Sequence, residues 1–401
     1  MKRLLVLIPT ALAFVLSLSH CGGNNSTAVP DTSTTGTTPE TPITGIAGDG
    51  TLSEKLDTII TAAQRPAIAA FSISEGQVIE MASTGLRSAD STVAVTDNDL
   101  WFVGSIGKSM TATLVAFMVD AGFLTWETSI NDVFPEWSDS TLAKYRNIQI
   151  QQLLSHTSGL EDEFPDSIWN FLDSDRSGPE VRYIVSRIAL SYDHGYPENS
   201  FQYANINYGI AGAMLEKLSG QTWRELIDER VFHPLGINQF GFGLPGVPGT
   251  LDQPVGHLFN TPGDSPFHPA IGPAGSIHFS LSSMAIYANF HLQGLRGEGS
   301  MLSRASYEKL YQPKIPSLYG GGDYALGWFR NGNRIFHGGT NTRWYALLEI
   351  NAEHNTAYFA VSNSYSEGWT VGLTSHGQIE IFIGQALDLL IRRLDNRHQN
   401  N

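Results

Sequence analysis

Cysteine is almost absent from this chain, since Cys21 is the only one in 401 residues. Beyond residue 21 there is therefore no disulfide to stabilise a fold and no thiol to act as a nucleophile. Charged residues are also sparse, at 16% of the chain, and Asp and Glu outnumber Lys and Arg by 39 to 24. Because the net charge is −15 and no basic cluster occurs, a nucleic acid or an anionic lipid surface is a poor partner.

Motifs of several common enzyme classes are missing as well. There is no His-Glu-x-x-His metal motif, no Gly-x-Ser-x-Gly elbow of an α/β-hydrolase and no phosphate-binding glycine loop. No metal or cofactor is predicted. The histidines that lack metal-ligand spacing are interpreted as structural: His156, His194, His233, His257, His268, His278 and His291.

Residues 1–20 are predicted to be a secretory signal peptide. Lys2 and Arg3 precede an apolar run over residues 4–18, which is shorter than the about 20 residues that span a bilayer. Cys21 follows in the context Leu-Ser-His-Cys, which resembles the lipobox of bacterial lipoproteins, and we expect its lipidation. His20 departs from the small residue usual there, so cleavage after the preceding Ser-Leu-Ser stays an alternative.

Residues 21–50 are predicted to be a flexible tether. They are rich in Ser, Thr, Gly and Pro and contain no aromatic residue, so they bury too little apolar surface to offset the entropy of ordering. The remaining residues 51–401 are long enough for a large core with two lobes, and we assign them to one catalytic domain.

The hydrophobic pattern of this domain predicts an α+β fold. Strands at 67–73 and 77–83 precede a mostly helical region, and strands return after residue 324. This order predicts an antiparallel sheet built from both chain ends, flanked by helices, with a large helical lobe inserted over roughly 110–310. The predicted helices are 106–121, 148–155, 179–190, 206–218, 222–230, 280–293 and 377–394, and the late strands are 324–329, 334–337, 345–350 and 356–361.

A serine and a lysine stand three residues apart, at Ser105 and Lys108, just ahead of an apolar helical run. On a helix this spacing places both side chains on one face, and a helix start favours developing negative charge. A buried lysine of lowered pKa can take the proton of a serine hydroxyl, which predicts a covalent serine hydrolase. The spacing alone is weak, because Ser306 and Lys309 share it in what we expect to be an exposed helix.

Two further patterns lie downstream. Tyr203 and Asn205 precede a predicted helix, where the amide of Asn205 can either meet a substrate amide or act as a helix N-cap. His337 is followed by Gly338 and Gly339 on a predicted strand, where glycines let a substrate backbone approach and the histidine can bridge to the tyrosine or the substrate.

The order Ser-x-x-Lys, Tyr-x-Asn and His-x-Gly resembles the class C β-lactamase and penicillin-recognising serine hydrolase superfamily, with its DD-peptidase and esterase relatives. The resemblance covers nearly the whole domain. Further segments that carry it are residues 153–160 (LLSHTSGL), 231–236 (VFHPLG), 273–276 (PAGS) and 327–328 (GW).

The resemblance implies a role for each matched residue. Ser105 attacks the carbonyl carbon, Lys108 and Tyr203 move its proton, and Asn205 orients the substrate amide. The backbone N–H groups of Ser105 and Thr340 form the oxyanion hole. His337, Gly338 and Gly339 line the opposite wall.

Two departures affect the expected substrate. His337 stands where dedicated lactamases of this class usually carry lysine, and this favours peptidase or esterase activity over efficient lactam hydrolysis. Arg343 stands where relatives often have glycine, and it either binds a substrate carboxylate or is a solvated charge at the strand edge. The acidic run 161–166 either attracts a substrate amine or is a solvated loop.

The sequence thus predicts an enzyme that cleaves an ester or amide of a small molecule or peptide through an acyl-enzyme on Ser105. The alternative is a catalytically silent, penicillin-binding-like lipoprotein with a binding or scaffold role. We expect a monomer, located in the periplasm or held at a membrane only through a lipid on Cys21.

Overall fold

An eight-stranded antiparallel sheet organises the described part of the chain. The computed structural model describes residues 45–46, 50–162, 177–316, 322–365 and 378–400. The large sheet has the strand order β10-β11-β12-β13-β14-β15-β3-β4. The strands are β1 Gly45–Ile46, β2 Gly50–Thr51, β3 Ala67–Ser74, β4 Gln77–Gly85, β5 Trp101–Phe102, β6 Phe240–Phe242, β7 His257–Leu258, β8 Thr261–Pro262, β9 Ile277–Phe279, β10 Ile315–Pro316, β11 Asp323–Tyr324, β12 Phe329–Asn331, β13 Arg334–Thr340, β14 Tyr345–Asn351, β15 Thr356–Ser362 and β16 Ser364–Tyr365.

Helices cover the sheet and form the inserted lobe. Short 3₁₀ turns lie at Gly104–Ile106, Pro135–Trp137, Ala143–Tyr145 and Pro269–Ala274, and one π turn at Asp228–Phe232. The α-helices are α1 Leu52–Ala63, α2 Gly107–Asp120, α3 Ile130–Val133, α4 Ile150–Leu154, α5 Gly178–Ala189, α6 Asn205–Ser219, α7 Trp223–Ile227, α8 His233–Leu235, α9 Leu281–Leu295, α10 Arg304–Tyr311 and α11 Gln378–Asn400. None of the helices in the described ranges combines the length and the apolar character needed to cross a membrane.

The two ends of the domain meet within the large sheet, as predicted. β3 and β4 form a hairpin whose two loop residues, Glu75 and Gly76, both have positive φ (52° and 79°), as a type I′ turn requires. β3 then pairs with β15, with Phe71 opposite Phe359 and their rings stacked at 5.3 Å. The α+β prediction of a sheet assembled from both chain ends is confirmed.

Both faces of the sheet are covered, which explains why β3 is buried along its whole length. Ile68 and Ala70 pack with α1 and α11 on one face, while Phe71 and Ile73 join the larger core on the other face with α9. A buried ion pair also holds α11 to β4, because Arg393 binds both carboxylate oxygens of Glu80 at 2.7 and 2.9 Å.

One part of the predicted organisation was wrong. The run 324–329 was expected to be one strand, but β11 and β12 are separate because Gly327, with φ of 76°, turns the chain between them. The inserted region, predicted to be mostly helical, also contributes the short strands β6, β7, β8 and β9. They pair with β5 and β16 from outside that region in the three-stranded sheets β5-β9-β6 and β16-β7-β8. These strands have only two or three residues each, too few to show a period in the sequence.

Candidate active site

Ser105 lies in the 3₁₀ turn that leads into α2 and is 5% exposed. The turn is held between two glycine backbones. A Cβ on Gly339 of β13 would overlap the Val103 carbonyl and lie 2.7 Å from Ser105 N, and a Cβ on Gly275 would lie 2.6 Å from Gly104 C. Gly104 itself has φ of 51° and faces the backbone of residues 339–340. Glycine is therefore required at these contacts, and it brings β13 directly beside the serine.

Lys108, one turn later on α2, is fully buried and makes three polar contacts. Its Nζ lies 3.0 Å from Ser105 Oγ, 2.6 Å from Asn205 Oδ1 and 3.2 Å from the Ala274 carbonyl oxygen. The last two atoms are pure acceptors, so a neutral amine donates its two N–H groups to them. Its lone pair is then directed at the Ser105 hydroxyl, which is the arrangement of a general base and its nucleophile.

The protonation state of Lys108 suits this role. Burial lowers the pKa of Lys108 from its ordinary 10.5 to about 7, and the charge of Asp162 opposes this shift. No carboxylate among the described residues contacts Nζ directly, so the ammonium form gains little to offset its lost hydration. Close to neutral pH, a substantial fraction of Lys108 is therefore available as a base.

Tyr203 lies beside Lys108, just before α6. The lysine Nζ is 4.7 Å from the centre of the tyrosine ring, and Tyr203 is 7% exposed. The ring of His156 lies against the ring of Tyr203, with the ring centres 4.3 Å apart and the planes tilted by 33°. His156 also accepts the Ala204 N–H at Nδ1, at 3.1 Å, which fixes the extended backbone before α6. The fold thus brings the predicted tyrosine to the predicted serine and lysine.

Asn205 is the first residue of α6, and Ala204 is the N-cap, so the N-cap alternative for Asn205 is wrong. Its side chain is engaged at both ends: Oδ1 accepts from Lys108, and Nδ2 donates to Asp162 Oδ2 at 2.6 Å. In this structure Asn205 therefore positions the lysine. Its predicted contact with a substrate amide stays a prediction.

His337 lies on β13 and is fully buried. Its Nδ1 lies 2.6 Å from the Gly338 carbonyl oxygen, so it carries the proton, and Nε2 lies 3.2 Å from the Tyr324 hydroxyl. Burial and the nearby Lys108 lower its pKa to about 3, so the imidazole is neutral. The prediction was a bridge to Tyr203 or to the substrate. The contact of Nε2 given above is with Tyr324 instead, and the Tyr203 and His337 ring centres are 6.4 Å apart.

The remaining predicted binding residues follow along the same strand. Gly339 makes the close contact with the serine turn, and a Cβ on Gly338 would lie 3.4 Å from the Tyr345 hydroxyl. Thr340 ends β13, and its backbone nitrogen is adjacent to Gly104. Its N–H is thus near that of Ser105, as an oxyanion hole requires.

Arg343 lies in the turn that follows β13. Its Nη1 donates to the Thr261 carbonyl oxygen at 3.2 Å, and its guanidinium carbon would be 2.9 Å from a Cβ on Gly263. The side chain is therefore packed on the backbone of the β7–β8 hairpin, and it is only partly exposed. Whether this cation binds a substrate carboxylate stays a prediction.

Sequence reasoning missed two functional candidates in the segment after α4. Asp162 was considered only within the acidic run 161–166, of which residues 163–166 lie outside the described residues. His156 was assigned a structural role, yet it contacts Tyr203 and has φ of 58°, which is rare for a residue with a side chain. The LLSHTSGL motif indicated that this segment belongs to the family pattern, but it did not show which site residues the segment contacts.

The repeated short patterns elsewhere do not form a site. The predicted helix around Ser306 exists as α10, but its expected exposure was wrong: Ser306 is 1% exposed, and its hydroxyl donates to Asp120 at 2.7 Å. Tyr145 and Tyr287 also begin a Tyr-x-Asn spacing, with Asn147 and Asn289, and they lie in a 3₁₀ turn and within α9. The predicted lipidation residue, Cys21, lies outside the described residues.

A sequence model of the family described as Beta-lactamase matches residues 52–375, which include every matched motif above. The chain belongs to the Beta-lactamase family. Members of this family are generally serine hydrolases, and the arrangement of Ser105 and Lys108 agrees with that chemistry.

Curated relatives agree with this membership. Penicillin-binding protein 4 of Amycolatopsis lactamdurans is 30% identical over 284 residues, covering 69% of this chain and 72% of that protein. Unguisins hydrolase ungD' of Aspergillus campestris is 25% identical over 280 residues, covering 64% of this chain and 48% of that protein. This Beta-lactamase family chain is thus similar to proteins from both bacteria and fungi.

Solved structures show the same fold at lower identity. The octameric penicillin-binding protein homologue from Pyrococcus abyssi has a TM-score of 0.67 at 21% identity, covering 85% of this chain and 77% of its own. A class C beta lactamase from Rhodobacter sphaeroides has a TM-score of 0.67 at 16% identity, covering 85% and 99%. The structure named SurE has a TM-score of 0.64 at 21% identity, covering 78% and 71%.

Proposed function

We propose that this protein is a serine hydrolase that cleaves an ester or amide bond through an acyl-enzyme on Ser105. The observation that carries the proposal is the buried Lys108 amine, 3.0 Å from the serine hydroxyl and with a pKa lowered to about 7. A lysine held in this way serves as a base and has no evident structural benefit, because burying an amine without a carboxylate partner is unfavourable.

The proposed acylation uses atoms already in place. The Ser105 proton moves to the neutral Lys108 amine as Oγ attacks the carbonyl carbon. The resulting oxyanion accepts hydrogen bonds from the N–H groups of Ser105 and Thr340, each typically worth roughly 3–4 kcal/mol of barrier. The bond to the leaving group then breaks, and the proton held by Lys108 passes to that group, directly or through the Tyr203 hydroxyl. Water repeats the sequence to release the acid.

The names of similar proteins support acyl chemistry and are compatible with several classes of substrate. They include a penicillin-binding protein, a hydrolase of unguisins, a class C beta lactamase and SurE with D-Leu. A neutral His337 in place of lysine offers no charge to a substrate carboxylate, which favours peptides or esters over lactams. Arg343→Ala tests whether this guanidinium binds the substrate. A KM that rises for carboxylated substrates, and not for neutral ones, would assign Arg343 to carboxylate binding.

An activity-based probe tests the proposed nucleophile. We expect a fluorophosphonate to label the purified protein once, and peptide mapping to place the label on Ser105. Ser105→Ala abolishes labelling, whereas Ser306→Ala, in the matched Ser-x-x-Lys pair, keeps it. Full labelling of the Ser105→Ala variant contradicts the assignment. No labelling of the wild-type protein favours the alternative, a silent binding or scaffold lipoprotein.

A panel of substrates then separates the possible activities. p-Nitrophenyl esters, nitrocefin and peptides ending in D-Ala-D-Ala represent the esterase, lactamase and carboxypeptidase types, and an N-terminal D-amino acid amide represents the aminopeptidase type. The ratio of kcat/KM values ranks them, because specificity is a difference in transition-state binding.

We also propose that the enzyme acts in the cell envelope as a monomer, anchored by a lipid on Cys21. The support is the charged and apolar start of the chain with the single cysteine after it. We expect the protein to incorporate labelled palmitate, and we expect Cys21→Ser to abolish this incorporation. Analytical ultracentrifugation of the purified protein measures the oligomeric state. The Pyrococcus abyssi homologue, described as octameric, shows that this fold can also assemble.

A further inference from the structure

Asp162 makes a concentrated set of hydrogen bonds at the start of α6. Its Oδ2 accepts from the Asn205 backbone N–H at 2.8 Å and from Asn205 Nδ2 at 2.6 Å, and its Oδ1 accepts from the Ile206 N–H at 2.9 Å. The carboxylate therefore satisfies two unpaired donors of the helix start and one side-chain amide. Capping alone needs only the backbone contacts, and the third contact reaches toward the active site.

That third contact determines which way the Asn205 amide faces. A carboxylate only accepts hydrogen bonds, so the NH₂ group of Asn205 must face Asp162 and the amide oxygen must face away. The oxygen then lies 2.6 Å from Lys108 Nζ. With a neutral partner at position 162 this preference would be lost, and an amide NH₂ directed at the amine would displace it from Ser105.

The charge of Asp162 also acts on Lys108. Among the described residues it is the carboxylate whose field raises the pKa of Lys108, against the larger lowering by burial. The other groups that face the amine carry no charge: Ser105, the Ala274 carbonyl, Tyr203, Tyr208 and the imidazoles of His156 and His337, whose pKa values burial lowers. Burial raises the pKa of Asp162, while its N–H partners and Lys108 oppose that.

We propose that Asp162 is a positioning residue of the hydrolase: its carboxylate fixes the Asn205 amide and, through it, holds the Lys108 amine beside Ser105. This inference rests on the proposed function of Ser105 and Lys108. It adds a carboxylate that is connected to the nucleophile through three hydrogen bonds, by way of Asn205 and Lys108, and that acts through these neighbours without touching the substrate.

The test compares Asp162→Asn with Glu161→Gln, the adjacent substitution of the same kind. The new amide keeps the shape of the carboxylate, but its NH₂ group faces a donor, and the charge is gone. We expect kcat to fall about ten- to a hundredfold with little change in KM. The acid limb of kcat/KM is expected to move to lower pH by about one unit, since removing a nearby negative charge favours the neutral amine. All variants are assayed on a neutral ester, which has no amine for the acidic run 161–166 to attract, and on this substrate Glu161→Gln is expected to leave both unchanged.

A double-mutant cycle with Asn205→Ala separates positioning from general stabilisation. If Asp162 acts through Asn205, the double variant is no slower than Asn205→Ala alone, whereas independent effects multiply. Should Asp162→Asn not fold, Asp162→Ser takes its place, because it removes the charge without placing an NH₂ group against the backbone donors of α6. Thermal unfolding reports folding in each case.

The outcomes distinguish this inference from the proposed function. A wild-type protein that a fluorophosphonate does not label at Ser105 overturns the function itself. A labelled wild type, together with an Asp162→Asn variant whose acid limb and kcat match those of Glu161→Gln, overturns only the role of Asp162. Multiplying effects in the cycle overturn it as well.

Discussion

The chain contains the spacing Ser-x-x-Lys twice, and the structure places the two pairs in opposite environments. Ser105 lies within the 3₁₀ turn at the start of α2, and Lys108 is fully buried among neutral acceptors. Ser306 lies within α10, where Asp120 accepts from its hydroxyl, and Lys309 Nζ lies 3.8 Å from the carboxylate of Glu127. Both pairs have the spacing that places serine and lysine on one face of a helix. Of the two lysines, only Lys108 is fully buried with no carboxylate in contact with its amine.

The difference shows what makes the spacing reactive. A lysine near a carboxylate keeps its proton, so it cannot accept one from a serine. The Ser306 hydroxyl instead donates to the Asp120 carboxylate, which is a far weaker base than a neutral amine and does not activate it. The neutral partners of Lys108, Asn205 Oδ1 and the Ala274 carbonyl, are therefore as informative as the serine itself.

The largest expected effect separates the two lysines. Lys108→Met removes the base and is expected to lower kcat/KM about 10²- to 10⁴-fold, the usual range for general-base catalysis. Lys309→Met is the matched control and leaves kcat/KM unchanged. Steady-state kinetics on an ester substrate measures both. Wild-type activity in Lys108→Met would remove the distinction between the pairs.

The glycine contact at the serine turn gives the next effect. Gly339→Ala forces a Cβ against Val103 O and Ser105 N, so the turn must shift, and a displacement near 1 Å can cost about 10²-fold in rate. Gly338→Ala meets its nearest atom at 3.4 Å, so its loss is expected to be smaller. Kinetics together with near-ultraviolet circular dichroism separates a displaced turn from an unfolded chain. Equal losses in the two variants contradict the proposed contact.

The pH dependence sharpens the comparison further. Lys108 must be neutral to act, and its pKa is about 7, so kcat/KM is expected to fall about tenfold per pH unit below 7. The Lys309→Met variant should show the same profile, because Lys309 takes no part. An acid limb well above pH 8 would indicate a lysine that burial has not desolvated.

The smallest expected effect on catalysis belongs to the second serine. Ser306→Ala removes a partly buried hydrogen bond to Asp120, so the free energy of unfolding is expected to fall by about 0.5–1.5 kcal/mol. Urea denaturation measures this loss, and kcat/KM stays at the wild-type value. A reduced rate in the folded variant would mean that the environment of the second pair is not inert.

Local patterns were sufficient for much of the fold. The apolar runs predicted α2, α6 and α9 to within a few residues, and the alternation after residue 324 predicted β13, β14 and β15. The association of Ser105, Lys108 and Tyr203 in one place required the family resemblance, because spacing along the chain does not reveal which distant segments meet. The strands of two residues in the lobe had no pattern to detect.

The partners of the site residues were beyond sequence reasoning. In the sequence Asp162 cannot be told apart from the other acidic residues of the run 161–166. Its role depends on the segment after α4 lying against the start of α6 in three dimensions. The pairing of His337 with Tyr324 depends on the bend at Gly327, which separates β11 from β12. Such contacts are set by tertiary packing, so no local propensity reports them.

The close backbone contacts of Gly104, Gly275 and Gly339 around Ser105 have a consequence for folding. The turn near the start of the domain contacts β13, which lies between β12 and β14 in the large sheet. Contacts of such high sequence separation form slowly, because the chain entropy between them must be lost first. We therefore expect Ser105 to reach its catalytic position only when β13 is in place against the turn, so that recovery of activity after denaturation reports this long-range contact.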